Sequence, residues 1–291
     1  MSSLIPGALL LSFAPVLVKA SALHPDLMGF YRMLFGMLWL GGHLLLTRAW
    51  PRGRWLQPLP LLAGLAFALD LILWHRSIHY IGPGLATMLA NLQVLVVAGW
   101  GFLSGQDKPS ARFWLSAGLA LAGLGLIVSG SALARSELLP GLLLGLAAAL
   151  AYSWYLILLK GVEQASTDSS SQSMIQVSLS ACVILGASGL ATGANLGIPD
   201  LRALSYLLAY GFLIQGLAWM LIAHAMKKLP AFLVSLVLLL QPVLSLVWDL
   251  LLFSRRLTPP EVAGMVLTLA AIWLGASSAR TADQAALKQS S

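Results

Sequence analysis

Ten stretches of the chain are almost continuously apolar, and each is long enough to cross a bilayer, which takes roughly 20 such residues. They lie at about 4–23, 27–47, 58–79, 83–104, 112–130, 138–160, 172–193, 203–226, 230–253 and 260–279. Short connectors between them collect the proline, glycine and charge, as at 48–54, 106–110, 131–137 and 196–202. The pattern predicts an all-α integral membrane protein with ten transmembrane helices.

The second half of the pattern repeats the first. Gln93-Val-Leu-Val-Val-Ala-Gly-Trp100 has its counterpart in Gln241-Pro-Val-Leu-Ser-Leu-Val-Trp248, at an offset of 148. The run from Leu11 to Lys19 has its counterpart from Tyr152 to Lys160, at an offset of 141. Five spans per repeat is an odd number, so the two halves are expected to insert with opposite orientation. Inverted repeats of this kind build many secondary transporters, with the substrate near the midplane between them. The units expected are 1–135 and 136–280, followed by a polar, disordered tail at 281–291. The Ser-rich stretch 164–173 has a linker's composition and is read as the join between halves, although the span count puts that join near residue 135.

Composition agrees with the pattern. The chain has 291 residues, 59% hydrophobic and 9% charged, with mean hydropathy +0.87; a soluble domain carries about 25% charged residues. The single cysteine, Cys182, has no intramolecular disulfide partner and is expected to be a small buried hydrophobe. No basic leader precedes the first apolar run. The net charge of +7 reads as basic loops at a lipid surface, not as nucleic-acid binding. With both termini cytoplasmic, the inner loops hold Arg48, Arg52, Arg54, Lys108, Arg112, Lys160, Lys227, Lys228, Arg280 and Lys288. The outer loops then hold Lys19, Arg76, Arg135, Arg202, Arg255 and Arg256. Ten against six favours cytoplasmic termini in a cell (inner) membrane by the positive-inside rule.

Polar residues inside the spans are the candidates for chemistry. Gln93 and Gln241 sit deep in their runs, with Asn91 beside the first. A buried amide must be hydrogen-bonded, so each either binds a polar solute or ties helices together. Asp70 is the most expensive residue, at about 2.5–3.5 kcal/mol for an isolated carboxylate in a span. Repeat pairing puts Ala218 opposite it, and Arg32 is its expected partner, either as a coupling pair or as a static ion pair. His75 and His79 share a helix face with Asp70 nearby and join Lys19, His24, Arg32 and Arg76 in a basic cluster, read as a vestibule, a proton path or interfacial side chains. His43 and His224 read as satisfied bundle residues, and no metal-ligand set is evident. Phe13, Trp74, Trp154 and Tyr155, with Tyr152 and Trp219, are expected to wall a cavity, whereas Trp100 and Trp248 fit interfacial belts. Pro15 and Pro242 interrupt spans near midplane positions. No Gly-x-x-x-x-Gly-Lys-[Ser/Thr] loop, Gly-x-Ser-x-Gly or His-Glu-x-x-His occurs, and Asp70 and Asp249, the acids set away from the first turn of a span, belong to different halves, so neither an ATPase nor an enzyme is expected and no cofactor is implied.

The stretches His79-Tyr80-Ile81-Gly82-Pro83-Gly84-Leu85-Ala86-Thr87, Met226-Lys227-Lys228-Leu229-Pro230-Ala231 and Gln241-Pro242-Val243, with the start of the second helix from Pro25 to Arg32, resemble the drug/metabolite transporter superfamily, in its EamA-type branch. Many members carry a Gly-Glu-Arg-like stretch after the fourth and ninth helices. Here those places read Gly105-Gln106-Asp107-Lys108 and Phe253-Ser254-Arg255-Arg256. The resemblance implies transport of a small organic solute. Export is the expected direction, an amino acid the leading class, and a monomer or dimer the expected assembly, with an uncoupled facilitator or exchanger of the same fold as the alternative. On the residues themselves, Gln93, Gln241 and Asn91 are expected to hold the solute, Phe13, Trp74, Trp154 and Tyr155 to wall it, and Asp70 with Arg32, His75 and His79 to carry the coupling charge, with a proton or another cation as the coupling ion.

Overall fold

A computed structural model of the chain describes residues 1–21, 23–48, 56–81, 83–129, 138–166, 169–254 and 257–289, without the side chains of residues 25, 26, 83, 84, 249 and 278–289. Outside the described residues lie Gly82, Arg52, Arg54, Arg135, Arg255 and Arg256, the connector 131–137 with the expected join at 135, and the side chains of Asp249, Arg280 and Lys288.

Every described element is helical. The order is α1 (Leu4–Leu11), α2 (Ala14–Ser21), α3 (Pro25–Thr47), α4 (Pro58–Ile81), α5 (Pro83–Ala90), α6 (Gln93–Leu103), α7 (Ala111–Val128), α8 (Leu138–Ala165), α9 (Ser170–Ala191) and α10 (Leu201–Ala209). A π-helical segment (Tyr210–Ala218), α11 (Trp219–Met226), α12 (Ala231–Leu238), α13 (Leu240–Phe253) and α14 (Pro259–Gln289) complete it. Among the described residues, nine segments are long and apolar enough to cross a membrane: α1 with α2, α4, α5 with α6, α7, α8, α9, α10 through α11, α12 with α13, and the first part of α14. The remaining long helix, α3, has 23 residues but is not among the nine, because Tyr31, Arg32 and His43 dilute its hydropathy. The last helix continues as backbone to Gln289, through the stretch whose composition reads as a tail.

Several spans are interrupted, for local reasons. Pro15 and Pro242 have no N–H for the carbonyls of Leu11 and Leu238. The helices break just ahead of them, where Phe13 N–H turns to Leu10 O (3.1 Å) and Leu239 N–H to Leu236 O (3.1 Å) in tighter three-residue bonds. Between α5 and α6, Asn91 Nδ2 donates to Thr87 O at 2.8 Å, and Leu92 N–H bonds Leu89 O at 3.0 Å. The breaks at Asn91 and at Leu239 are 148 residues apart, the offset that relates Gln93 to Gln241. The backbone keeps the repeat where the side chains have diverged.

Packing follows the repeat as well. α4 lies along α8, α7 along α14, and α3 between α9 and the π-helical segment. At the crossing of α7 and α14, a Cβ on Gly123 would meet Gly264 O at 2.7 Å and Thr268 N at 2.9 Å, while one on Gly264 would strike Gly123 O and meet Ile127 N at 3.0 Å. Gly123 and Gly264 are 141 apart, as are Ile127 and Thr268, so each half presents the same patch to the other. The close approach of Gly36 to Gly211 likewise has its image in that of Val177 to Gly64.

The Ser-rich stretch corrects its reading as a linker. α8 ends at Ala165 and α9 begins at Ser170, and Ser170, Ser171, Gln172 and Ser173 are all buried. Ser170 Oγ donates to Glu163 Oε2 (2.6 Å), and Ser171 Oγ lies 3.2 Å from His43 Nδ1. A composition that suits a loop here pins a buried helix start, because the hydroxyls of Ser170 and Ser171 reach side chains on neighbouring helices, while Ser169 at the N-cap makes no side-chain capping bond.

Candidate functional site

A polar and aromatic centre forms where α3, α4, α8, α9, the π-helical segment and α11 converge. Arg32 of α3 is 5% exposed. Its Nε donates to Gln215 Oε1 at 3.2 Å and its Nη1 lies 3.5 Å from Tyr210 OH. The guanidinium also sits over the rings of Phe67 (5.1 Å) and Tyr210 (5.4 Å). Gln215 is held in turn, since its Nε2 donates to Ser178 Oγ at 3.0 Å. The π-helical turn makes this arrangement possible. It brings residues about five apart onto one face, which an α-helix does not, so Tyr210 and Gln215 both reach Arg32. Gly211 and Gly216 let α3 close on that turn, since a Cβ at either would overlap Phe35 and Gly36 or the Trp39 ring.

Next to Arg32 the rings of four residues pack together. Phe67 stacks on Tyr155 with centroids 4.3 Å apart and planes 12° from parallel. Trp219 meets Tyr155 edge-on at 4.9 Å and Phe67 at 5.4 Å, and Tyr152 lies 6.2 Å from Tyr155. Tyr155 OH and Trp219 Nε1 are buried with no hydrogen-bond partner among the described residues. Asp70, one turn beyond Phe67 on α4, is 7% exposed and within electrostatic range of Arg32. The two do not close into an ion pair, the static alternative for this couple. The guanidinium is committed to Gln215, Tyr210 and the ring faces, and no hydrogen bond reaches Asp70 among the described residues. Buried polar groups are nearly always satisfied in native structures. Here a carboxylate, a phenol, an indole N–H and part of a guanidinium stand together with unused bonding capacity.

The other expected residues scatter around this centre. Gln93 is fully buried; its Nε2 donates to Ser235 O at 3.2 Å, which ties α6 to α12, and its Oε1 has no partner among the described residues. Gln241 is half-buried. Asn91 and Trp74 meet at Thr87, the amide on its carbonyl and the indole on its hydroxyl at 3.3 Å. Phe13 stacks on Trp248 at 4.3 Å and 24°, and the half-buried Trp248 donates from Nε1 to Ser12 Oγ at 2.8 Å, at the break between α1 and α2. Trp154 is 46% exposed and pairs outward with Trp100 at 5.1 Å, so it faces lipid and not the centre. His75 is half-buried beside Trp74, while His79 and His224 lie on the outside. Of the residues singled out in the sequence, the structure gathers Arg32, Asp70, Tyr152, Tyr155 and Trp219 here, together with Gln215, Tyr210, Phe67 and Ser178, which the sequence reading did not single out. Gln215 carries the signal that selected Gln93 and Gln241, an amide deep in an apolar run. No group of His, Cys, Asp and Glu suited to a metal occurs among the described residues.

A profile of the EamA-like transporter family matches residues 2–129 and again 139–276, which puts the Ser-rich stretch inside the second match. No curated protein matches the chain. Among 29 matching chains of solved structures, one described only as "Crystal structure of protein" superposes with a TM-score of 0.82 at 18% identity, covering 96% of each chain, a likeness of fold. Two family matches across nearly the whole chain, on a helical bundle whose contacts repeat between its halves, make this protein a member of the EamA-like transporter family.

Proposed function

We propose that the protein is a secondary transporter that exports a small organic solute across the cell (inner) membrane by alternating access around the Arg32–Asp70 centre. In this reading α3 is the tenth span, and the five-helix halves are inverted repeats with both termini cytoplasmic. The matched contacts at Gly123 with Gly264 and at Gly36 with Gly211 support a two-fold relation, and five spans per half would make that relation an inversion. The observation that carries the reading is the set of buried groups with unused bonding capacity at Asp70, Tyr155 and Trp219. A solute with both charged and apolar parts, such as an amino acid, would satisfy the polar groups and fill against the rings. Arg32 and Asp70 interrupt the repeat, facing Ser173 and Ala218 by position, and charges this costly inside a membrane mark transport pathways. Asp70 would take the coupling proton, with Arg32 setting its charge. Arg32 is the charged neighbour of Asp70 among the described residues, and a carboxylate set against a guanidinium, with no second carboxylate to share an acid–base task, suits carriage of a solute better than catalysis on one.

The test is flux in vesicles that carry the purified protein. Asp70→Asn is expected to abolish proton-coupled flux while expression and folding persist. Normal coupled flux in that variant at every pH would end the coupling role and leave an uncoupled facilitator of the same fold.

A further inference from the structure

A cavity of about 200 Å³ opens where α6 and α8 end, away from the aromatic centre, walled by Val97, Trp100, Asp107, Ile157, Lys160 and Gln164. That is roughly seven waters' worth of space at about 30 Å³ each. It lies at the apolar–polar boundary of both helices. Along α8 the side chains change from the lipid-facing Trp154 through Ile157 to Lys160 and Gln164, and the paired Trp100 and Trp154 mark the depth at which amphipathic rings settle.

Two opposite charges face this space and are fixed in place. Lys160 Nζ donates to Met226 O (2.6 Å) and Leu229 O (2.9 Å), so its ammonium is anchored by the turn between α11 and α12 and does not snorkel away. An ammonium has a further N–H to give. Asp107 is set by the turn after α6. Gly105 adopts φ +69°, Asp107 N–H returns to Gly101 O at 3.0 Å, and the Asp107 side chain lies so close to Gly101 that a Cβ there would meet it at 2.9 Å. Asp107 and Lys160 sense each other's charge but form no ion pair, and no side-chain hydrogen bond reaches Asp107 among the described residues. An anchored cation and an anchored anion thus stand apart across one small cavity, with an indole on its wall.

We infer that this cavity is a binding site for a zwitterion that carries a primary ammonium near a phosphate or carboxylate. The ammonium bonds Asp107 beside the Trp100 ring, and the anion takes the remaining N–H of Lys160. A phosphatidylethanolamine headgroup presents this chemistry at this depth, and free phosphoethanolamine presents it from water. The site is independent of the central one.

Isothermal titration of the full chain in detergent with dioctanoyl phosphatidylethanolamine, phosphatidylcholine, phosphatidylglycerol and free phosphoethanolamine tests it. The ethanolamine lipid is expected to bind at least tenfold tighter than the choline lipid, which has no N–H, and the glycerol lipid, which has no amine. Asp107→Asn, in an exposed turn, is expected to raise its Kd at least tenfold. Equal binding of free phosphoethanolamine would assign the site to a soluble zwitterion, and binding of the lipid alone would assign it to the membrane. Equal affinity for the three lipids, or a Kd in Asp107→Asn within twofold of the parent, would overturn the proposal.

Discussion

Phe13 stacks on Trp248, and Trp154 pairs with Trp100. Phe13 and Trp154 are 141 residues apart, and Trp100 and Trp248 are 148 apart, so one aromatic pair is the repeat image of the other. Their surroundings differ. The first pair sits at the break between α1 and α2, where Trp248 bonds Ser12. The second rides on the unbroken α8 and opens onto lipid and onto the cavity of Lys160. A repeat can therefore keep its contacts and change their use. The same holds more sharply at the centre. The first half contributes the charges, Arg32 and Asp70, and the second half contributes the amide and most of the rings that receive them, Gln215, Tyr155 and Trp219.

The comparison yields predictions of decreasing size. Removing the first half's charge in Asp70→Asn is expected to abolish coupled flux, the largest effect. Next come the symmetric contacts. Gly123→Val and Gly264→Val each force a side chain into the same crossing, and overpacking of this kind costs about 1–3 kcal/mol. Thermal unfolding in detergent should show nearly equal losses for the two; a loss in only one would break the equivalence of the halves. Gln215→Ala leaves the buried Arg32 Nε without its acceptor, an expected cost of about 1–3 kcal/mol, whereas Gln241→Ala, at a half-buried amide, should cost less than about 0.5 kcal/mol. Phe13→Ala is expected to destabilise the protein more than Trp154→Ala, although tryptophan is the larger residue, because Trp154 keeps lipid contact in either state.

The smallest effect is electrostatic. Burial pushes the Asp107 carboxyl above its ordinary range, with Lys160 pulling it partly back. The folded state then holds that proton to a higher pH than the unfolded state does, so stability falls as pH rises from below about 4 through the folded value. Asp107→Asn should leave stability unchanged at low pH and raise it slightly at neutral pH. A destabilised variant at neutral pH would mean that a closed ion pair with Lys160 had been lost.

Much of this architecture is legible in the chain. Long apolar runs specify helices in a membrane because a helix satisfies its own backbone there, whereas the other solution, a closed barrel, needs short strands of alternating hydrophobicity, and the two offsets locate the repeat without any alignment. Asp70 and Arg32 stand out because charge inside a span is costly. What the sequence conceals is direction. Periodicity does not say that Trp154 faces lipid while its repeat image Phe13 faces inward, since that depends on which helix breaks. Nor does an apolar run containing Tyr210 and Gln215 announce a π-helical turn, which forms because Gly211 and Gly216 admit α3 and Arg32 rewards both side chains at once. The Ser-rich stretch 164–173 misleads for a related reason, since hydroxyls that suit a loop also suit a buried helix start.

The central claim is that the unsatisfied groups around Arg32 and Asp70 receive the solute. The most direct measurement is a thermal-shift comparison of the purified protein with amino acids, nucleosides, polyamines and cationic dyes, where a ligand at 100 times its Kd stabilises by about 2.7 kcal/mol. The account predicts a stabilising ligand whose effect disappears in Arg32→Gln and in Tyr155→Phe and survives in Trp154→Ala. A ligand that still stabilises both central variants and is lost in Trp154→Ala would contradict it.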